Sequence, residues 1–405
     1  MASLFPFRAL RPAPGTAPSV SSVPYDVVSA EEARQLASGN PLSFLHVTRS
    51  EIDLPPSTDP YSAPVYARAR TNFEAIKKQA PLVIEDAPSL YFYRLRMGEH
   101  EQTGIAGCFS VDEYEADVIK KHERTRRDKE DDRTRHILEL RAQTGVVFLT
   151  YKSAKPVDAI AARVTAGAPL YDFTAADGVH HTLWRVTDED TNAVIKEFAR
   201  IPALYIADGH HRAASAARAR AELRGQPNAD ESRTFIAVAF PDDQVQILPY
   251  HRTVKDLAGR SPEQFLDELR QVTPVADGGG IPRHKGEVSM YLGGRWHVID
   301  LSRTTPEDDS HASSLDVALL QRNVLERILA IGDIRSDKRI DFIGGARGTE
   351  ALEEAVDSGK AAVAFSMYPV EVEDLIAIAD GGGIMPPKST WFEPKLRDGL
   401  LIHTI

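Results

Sequence analysis

The chain has 405 residues, 42% of them hydrophobic and 26% charged, with a formal net charge of −11. That length predicts two or three lobes, and the apolar share is that of a globular protein able to bury cores. The acidic balance speaks against the broad basic face that non-specific DNA binding needs. No apolar run approaches the roughly 18 residues of a membrane span. The single cysteine, Cys108, excludes an internal disulfide, fits a reducing cytoplasm, and reads as a core residue because it sits inside an apparent strand.

In chain order, Phe5-Pro6-Phe7-Arg8 lacks the long apolar core of a signal peptide, and residues 1–28 are proline-rich and expected to lie extended. Ser29 is placed to cap a short helix with Glu31 and Glu32 in its first turn and Gly39 beyond its end. Phe44 to Thr48 reads as a strand, and Tyr66 to Gln79 as a helix. Leu90 to Arg96 alternates as a strand does and is expected to pair with Gly104 to Ser110 through a turn at Gly98-Glu99. Val111 to Arg141 is densely charged and, as a helix, would offer many i,i+4 opposite-charge pairs. A strand (Val146–Tyr151), a helix (Val157–Ala166), a hairpin (Leu170–Val186) and a helix (Thr191–Arg200) follow.

Leu204 to Ala217 is the stretch around which the rest is organised. Leu204-Tyr205-Ile206-Ala207 is a short apolar run that reads as a buried strand. Asp208-Gly209 is a turn where glycine can take a positive φ. An alanine-rich helix then runs from about His210 to Leu223, and its unpaired N–H groups and positive dipole end fall beside His211 and Arg212. That combination suits a phosphate group. Arg212 could grip phosphate oxygens with its fork, and Asp208 could take a Mg²⁺ ion.

Further on, Thr234–Phe240 and Val245–Leu248 read as strands, and Ser261-Pro262-Glu263 opens a helix. Val288–Leu292 and Trp296–Leu301 read as strands, and Ser314–Ile331 as an amphipathic, core-packing helix. Asp341–Thr349 is a strand and glycine-rich turn that matches neither a Walker A loop nor G-x-G-x-x-G. Ala361–Tyr368 is a strand, Val372–Ala379 a helix, and Leu400–His403 a last strand. His251 and Arg252 fall at a strand end. Pro386-Pro387-Lys388-Ser389-Thr390 is a rigid turn ending in a cation and two hydroxyls, suited to a phosphate or carboxylate. The adjacent pairs His180-His181 and His210-His211 do not have zinc-ligand spacing.

Several segments together resemble a bacterial and archaeal family of unknown function in the ParB/sulfiredoxin superfamily, related to free serine kinases. They are Pro6-Phe7-Arg8-Ala9, Val23-Pro24-Tyr25-Asp26-Val27-Val28, His122-Glu123-Arg124-Thr125, Asp208-Gly209-His210-His211-Arg212, Leu248-Pro249-Tyr250-His251-Arg252 and Met385 to Phe392. Gly383 stands where that family's pattern has an acidic residue. The resemblance implies an α/β (α+β) protein with a ParB/sulfiredoxin-like nucleotide-binding core and flanking α+β parts. The division expected is 1–110, then 111–255 with both phosphate-handling motifs, then 256–405 with the Pro386–Thr390 turn.

It further implies a cytoplasmic small-molecule kinase that uses Mg²⁺ and ATP or ADP to phosphorylate a hydroxyl, that of free L-serine. In this scheme Glu123 is the candidate base, with His122 second and Asp208 as metal ligand. Gly209, His210, His211, Arg212, Arg124 and Thr125 hold phosphate; His251, Arg252, Lys388, Ser389 and Thr390 hold substrate. The partners expected are therefore small molecules rather than DNA or membrane, in a chain that could form a homo-oligomer. Two other readings keep the same phosphate cradle. One is a phosphatase or nucleotide hydrolase acting on phosphoserine or CTP; the other is a non-catalytic protein that responds to nucleotide.

Overall fold

The computed structural model describes residues 1–80, 82–227 and 229–405. The chain divides into two compact units, Met1–Val245 with Pro394–Ile405, and Gln246–Glu393. It is a mixed α/β protein with a large mixed sheet.

That sheet belongs to the first unit and has nine strands: β1 (Leu4–Phe5), β2 (Tyr91–Met97), β3 (His100–Ser110), β4 (Ile119–Lys120), β5 (Val147–Tyr151), β6 (Tyr171–Thr174), β7 (His180–Arg185), β8 (Leu204–Asp208) and β9 (Thr234–Pro241). The order is β4-β8-β5-β9-β3-β2-β7-β6, with β1 added on β3. Pairing is antiparallel except β4 with β8 and β5 with β9. β2 and β3 form the expected hairpin, closing with Met97 opposite His100 across Gly98-Glu99. The inner strands β5, β8 and β9 are almost continuously apolar because helices cover the sheet. Val147, Leu149, Ile206 and Phe235 share one core with Val157 and Ile160 of a helix at Lys155–Thr165, and with Val194 and Phe198 of another at Asp188–Phe198. Cys108 is buried in β3.

The same unit contains the helices α1 (Ala30–Ala37), α2 (Ala63–Gln79) and α3 (Arg127–Leu140). α1 starts where its cap requires. Ser29 Oγ accepts from the Glu32 N–H at 3.2 Å, and the Glu32 carboxylate accepts from the Ser29 N–H at 2.8 Å.

Two local expectations fail. Phe44–Thr48 is not a strand; Leu45–Thr48 is a helical turn. A five-residue stretch with three apolar side chains does not distinguish the two, and here tertiary bonds hold the turn. The His46 carbonyl accepts from Asn72 at 2.6 Å, and the His46 ring is held by Asp53 at 2.8 Å. Val111–Arg141 is not one helix either. A short helix (Val111–Glu115) stops before Asp117, whose φ is +60°, then β4 pairs in parallel with Leu204 and Tyr205, and α3 begins only at Arg127. His122-Glu123-Arg124-Thr125 therefore lies in a loop.

The second unit holds a six-stranded sheet of β10 (Tyr250–Val254), β11 (Val275–Asp277), β12 (Glu287–Leu292), β13 (Arg295–Asp300), β14 (Ile340–Gly344) and β15 (Val363–Met367), in the order β11-β13-β12-β15-β10-β14. A separate pair joins Gln246–Leu248 to Trp391–Glu393. The helix at Pro262–Val272 is capped by Ser261 with Gln264. Ser314–Ile331 buries Leu315, Leu319, Leu325, Ile328 and Leu329 as expected, but its backbone passes from an α turn (Asp316–Leu320) into a wider helix over Gln321–Glu326.

Candidate functional site

β8 ends at Asp208, and Gly209 turns the chain into α4 (His210–Leu223) with φ +97°, a backbone conformation that favours glycine. The space is also closed. A Cβ on Gly209 would lie 3.3 Å from Arg212 Cδ and 3.4 Å from the Val147 Cα. Ala213, Ala216 and Ala219 are buried, so the small side chains let α4 lie close to its neighbours.

Arg212 is buried, and the fork that the sequence suggests for phosphate is engaged inside the protein. Nη2 donates to both Asp26 oxygens at 2.6 and 2.8 Å, and Nη1 donates to the Val146 carbonyl at 2.8 Å. Burial works against its charge, but Asp26, Asp208 and Asp398 overcome that and raise its pKa. A cavity of about 30 Å³ is lined by Arg212, Asp398, Tyr25 and Arg133 among others. In Asp398 the balance is reversed: burial, assisted by Asp26, raises its carboxyl to about 7 despite Arg212. Arg212 thus ties the first turn of α4 to Asp26.

Asp208 is partly open at the strand end, and Lys395 Nζ lies 3.3 Å from its Oδ2. Burial favours its neutral form, but Lys395 and Arg212 hold it well below the usual carboxylate range, so it is ionised at neutral pH. Asp208, the carboxylate expected to take the ion, is paired with Lys395, and no group of three potential protein ligands occurs among the described residues.

The structure brings the His122–Thr125 loop onto the first turn of α4. The His122 and His210 rings meet edge to face, with centroids 4.4 Å apart. The His122 backbone N–H donates to His210 Nε2 at 3.4 Å, which places the ring proton on Nδ1, the nitrogen 3.8 Å from Glu123 Oε2. The Arg126 N–H donates to His211 Nε2 at 3.0 Å. Burial pushes His122 down to about 4; burial, with His122 alongside, pushes His210 well below its ordinary value; burial also lowers His211. All three are therefore neutral at pH 7.

Of the two expected bases, His122 is buried and Glu123, whose side chain is 56% exposed, reaches solvent. Arg124 is exposed, and Thr125 bonds Glu130 at the start of α3.

The remaining expected ligand residues lie in the second unit. His251 Nδ1 accepts from the Met367 N–H at 3.1 Å, and burial with Arg252 nearby brings its pKa to about 4. Arg252 donates to the carbonyls of Tyr250 and Lys388, the latter at 3.0 Å. Lys388 has φ +59°, and its Nζ stands over the Tyr250 ring at 4.9 Å. Ser389 Oγ donates to the Pro386 carbonyl at 2.6 Å and is buried, while Thr390 is partly buried.

Sequence reasoning missed Lys395 and Asp398, and gave Asp26 no role. Asp26 lies in one of the family-like segments and could have been suspected. Lys395 is 187 residues from Asp208, and no local pattern links them.

No curated protein matches the chain. Among solved structures it is similar to a free serine kinase in complex with ADP, with 13% identity, a TM-score of 0.37, and coverage of 73% of this chain and 92% of that one. It is also similar to SbnI with a C-terminal truncation from Staphylococcus aureus, with 13% identity, a TM-score of 0.38, and coverage of 74% and 87%. A conserved hypothetical protein from Pyrococcus furiosus shows 12% identity, a TM-score of 0.36, and coverage of 73% and 94%. A family profile matches residues 4–318, and the chain belongs to that family, described as protein of unknown function (DUF1015).

Proposed function

We propose that the protein is a small-molecule kinase, built on a ParB/sulfiredoxin-like core, that transfers a phosphoryl group from ATP or ADP to a hydroxyl, that of free L-serine. One observation carries this reading. The first turn of α4 gathers a helix N-terminus, the Asp208–Lys395 pair and the exposed Glu123 carboxylate around neutral imidazoles.

Phosphoryl transfer needs donors and a cation for the phosphate oxygens, and a carboxylate to receive the acceptor proton. The N–H groups of the first turn and Lys395 supply the former. Glu123 is the group to take the proton, with His210 Nδ1–H facing it. His210, His211 and Arg212 shape the turn, since each is bound inside the protein. Mg²⁺ would arrive on the phosphates of the nucleotide. The activity named for the free serine kinase structure is of the same kind, and the proposal does not rest on it.

The test is purified protein with Mg²⁺, ATP or ADP, and serine, read by mass spectrometry for phosphoserine. Its formation is expected, and its absence with both nucleotides overturns the kinase. Phosphate release without acceptor would point to the hydrolase, and tight nucleotide binding without turnover to the responsive binding protein.

A further inference from the structure

We infer that the first unit holds a separate pocket for a small carboxylic acid bearing a hydrogen-bond donor at its other end, a free amino acid or hydroxy acid. The pocket measures about 170 Å³ and lies between residues 47–51, the start of α2 and the first turns of α3. That is room for a molecule of amino-acid size, well beyond the roughly 10–15 Å³ that a single water needs.

The charged groups lining it fall into two sets. Asp132 is closed: it accepts from Tyr66 Oη at 2.8 Å and from Arg133 at 2.8 Å, and Arg133 stacks over the Tyr25 ring at 4.1 Å. That set is neutral as it stands. The second set is open. Lys129 Nζ donates to Tyr61 Oη at 2.7 Å and, among the described residues, has no carboxylate within ion-pair distance. Arg49 donates from Nη1 to the Tyr25 carbonyl at 3.2 Å. Its Nε lies 2.8 Å from Glu51 Oε1 but off line for a hydrogen bond, so this N–H is buried without a partner among the described residues.

Two cations thus face one carboxylate inside tyrosine walls. A ligand carboxylate would satisfy Lys129 and Arg49. Its ammonium or hydroxyl would donate to Glu51, and its carbon skeleton would lie against Tyr61 and Tyr66. Tyr25 lines this pocket, and its neighbour Asp26 holds Arg212 at the start of α4, so one segment supports both places. Binding stands apart from the kinase reading; only the pocket's role as acceptor site rests on it.

The experiment is a thermal-shift and calorimetric titration of the full chain with L-serine, D-glycerate, ethanolamine (which lacks the carboxylate) and, separately, ADP or ATP with Mg²⁺. Wild type is compared with Lys129→Met and Arg49→Gln. Serine or glycerate is expected to raise the melting temperature with concentration while ethanolamine does not. Lys129→Met should weaken that binding about tenfold or more, and leave the response to ADP unchanged.

The pocket is overturned if neither acid binds at millimolar concentration. It is equally overturned if both variants bind the acids as tightly as wild type. Acid binding with no response to ADP, and none to ATP in the same assay, would sink the kinase and leave the pocket; a nucleotide response with no acid binding would sink the pocket and leave the kinase to its own test.

Discussion

Arg212 in the first unit and Arg252 in the second are both buried, 6% and 1% exposed, but their surroundings differ in charge. Arg212 bonds Asp26 directly and lies in the field of Asp208 and Asp398, so its pKa rises. Arg252 donates to carbonyl oxygens, those of Tyr250 and Lys388, and burial brings it down to about 9. The first is a cation locked into structure. The second is a cation without a counter-charge among the described residues, at the turn where Lys388, Ser389 and Thr390 are expected to meet an anionic group. A site cannot be inferred from the presence of arginine alone; what already neutralises it decides.

The largest effect expected from this contrast is at Asp26. Asp26→Ala leaves the Arg212 guanidinium buried and unpaired, which costs about 3–5 kcal/mol. Denaturant unfolding checks this, and a loss under about 1 kcal/mol would show that Asp208 and Asp398 suffice. The next effect depends on pH. A carboxyl raised to about 7 favours folding while protonated, so the contribution of Asp398 declines as pH rises from its ordinary value through 7. The span corresponds to roughly 4 kcal/mol. Asp398→Asn should remove that decline, and an unchanged stability profile between pH 4 and 7 would contradict the raised pKa.

The backbone that presents this cluster comes third. Gly209→Ala forces a side chain into φ +97° against Arg212 and Val147, at a cost of about 1–3 kcal/mol. Fourth is Arg252→Met, expected to cost only about 1–2 kcal/mol. It strands two carbonyl acceptors but also removes a buried charge. A loss near that of Asp26→Ala would erase the distinction between the two arginines.

Much of this was legible because the signals are local. Ser29 with Glu32, the Gly98-Glu99 hairpin, and the strand, glycine and alanine-rich helix over 204–223 each carry their instructions within a few residues. The candidate site was legible as a strand–glycine–helix turn, and the structure brings the His122–Thr125 loop onto it. The destination of Arg212 was not legible, because Asp26 is 186 residues away, and neither was Lys395, brought in by the C-terminal segment of the first unit. Phe44–Thr48 failed for a related reason: its composition permits a strand, and bonds from Asn72 and Asp53 make it a helical turn.

Glu123 gives the smallest change in stability and separates chemistry from structure most cleanly. Its side chain is more than half exposed, and Glu123→Gln keeps its size and its hydrogen-bonding oxygen, so the substitution should change unfolding free energy by less than about 0.5 kcal/mol. If the carboxylate receives the acceptor proton, the same substitution should lower turnover by about 10²- to 10⁴-fold while leaving the affinity for ADP within about twofold. Glu123→Asp, which keeps the base but shortens it, should recover part of the rate. A folded Glu123→Gln protein that turns over like wild type would move the proton acceptor elsewhere and leave the α4 turn as a nucleotide cradle only.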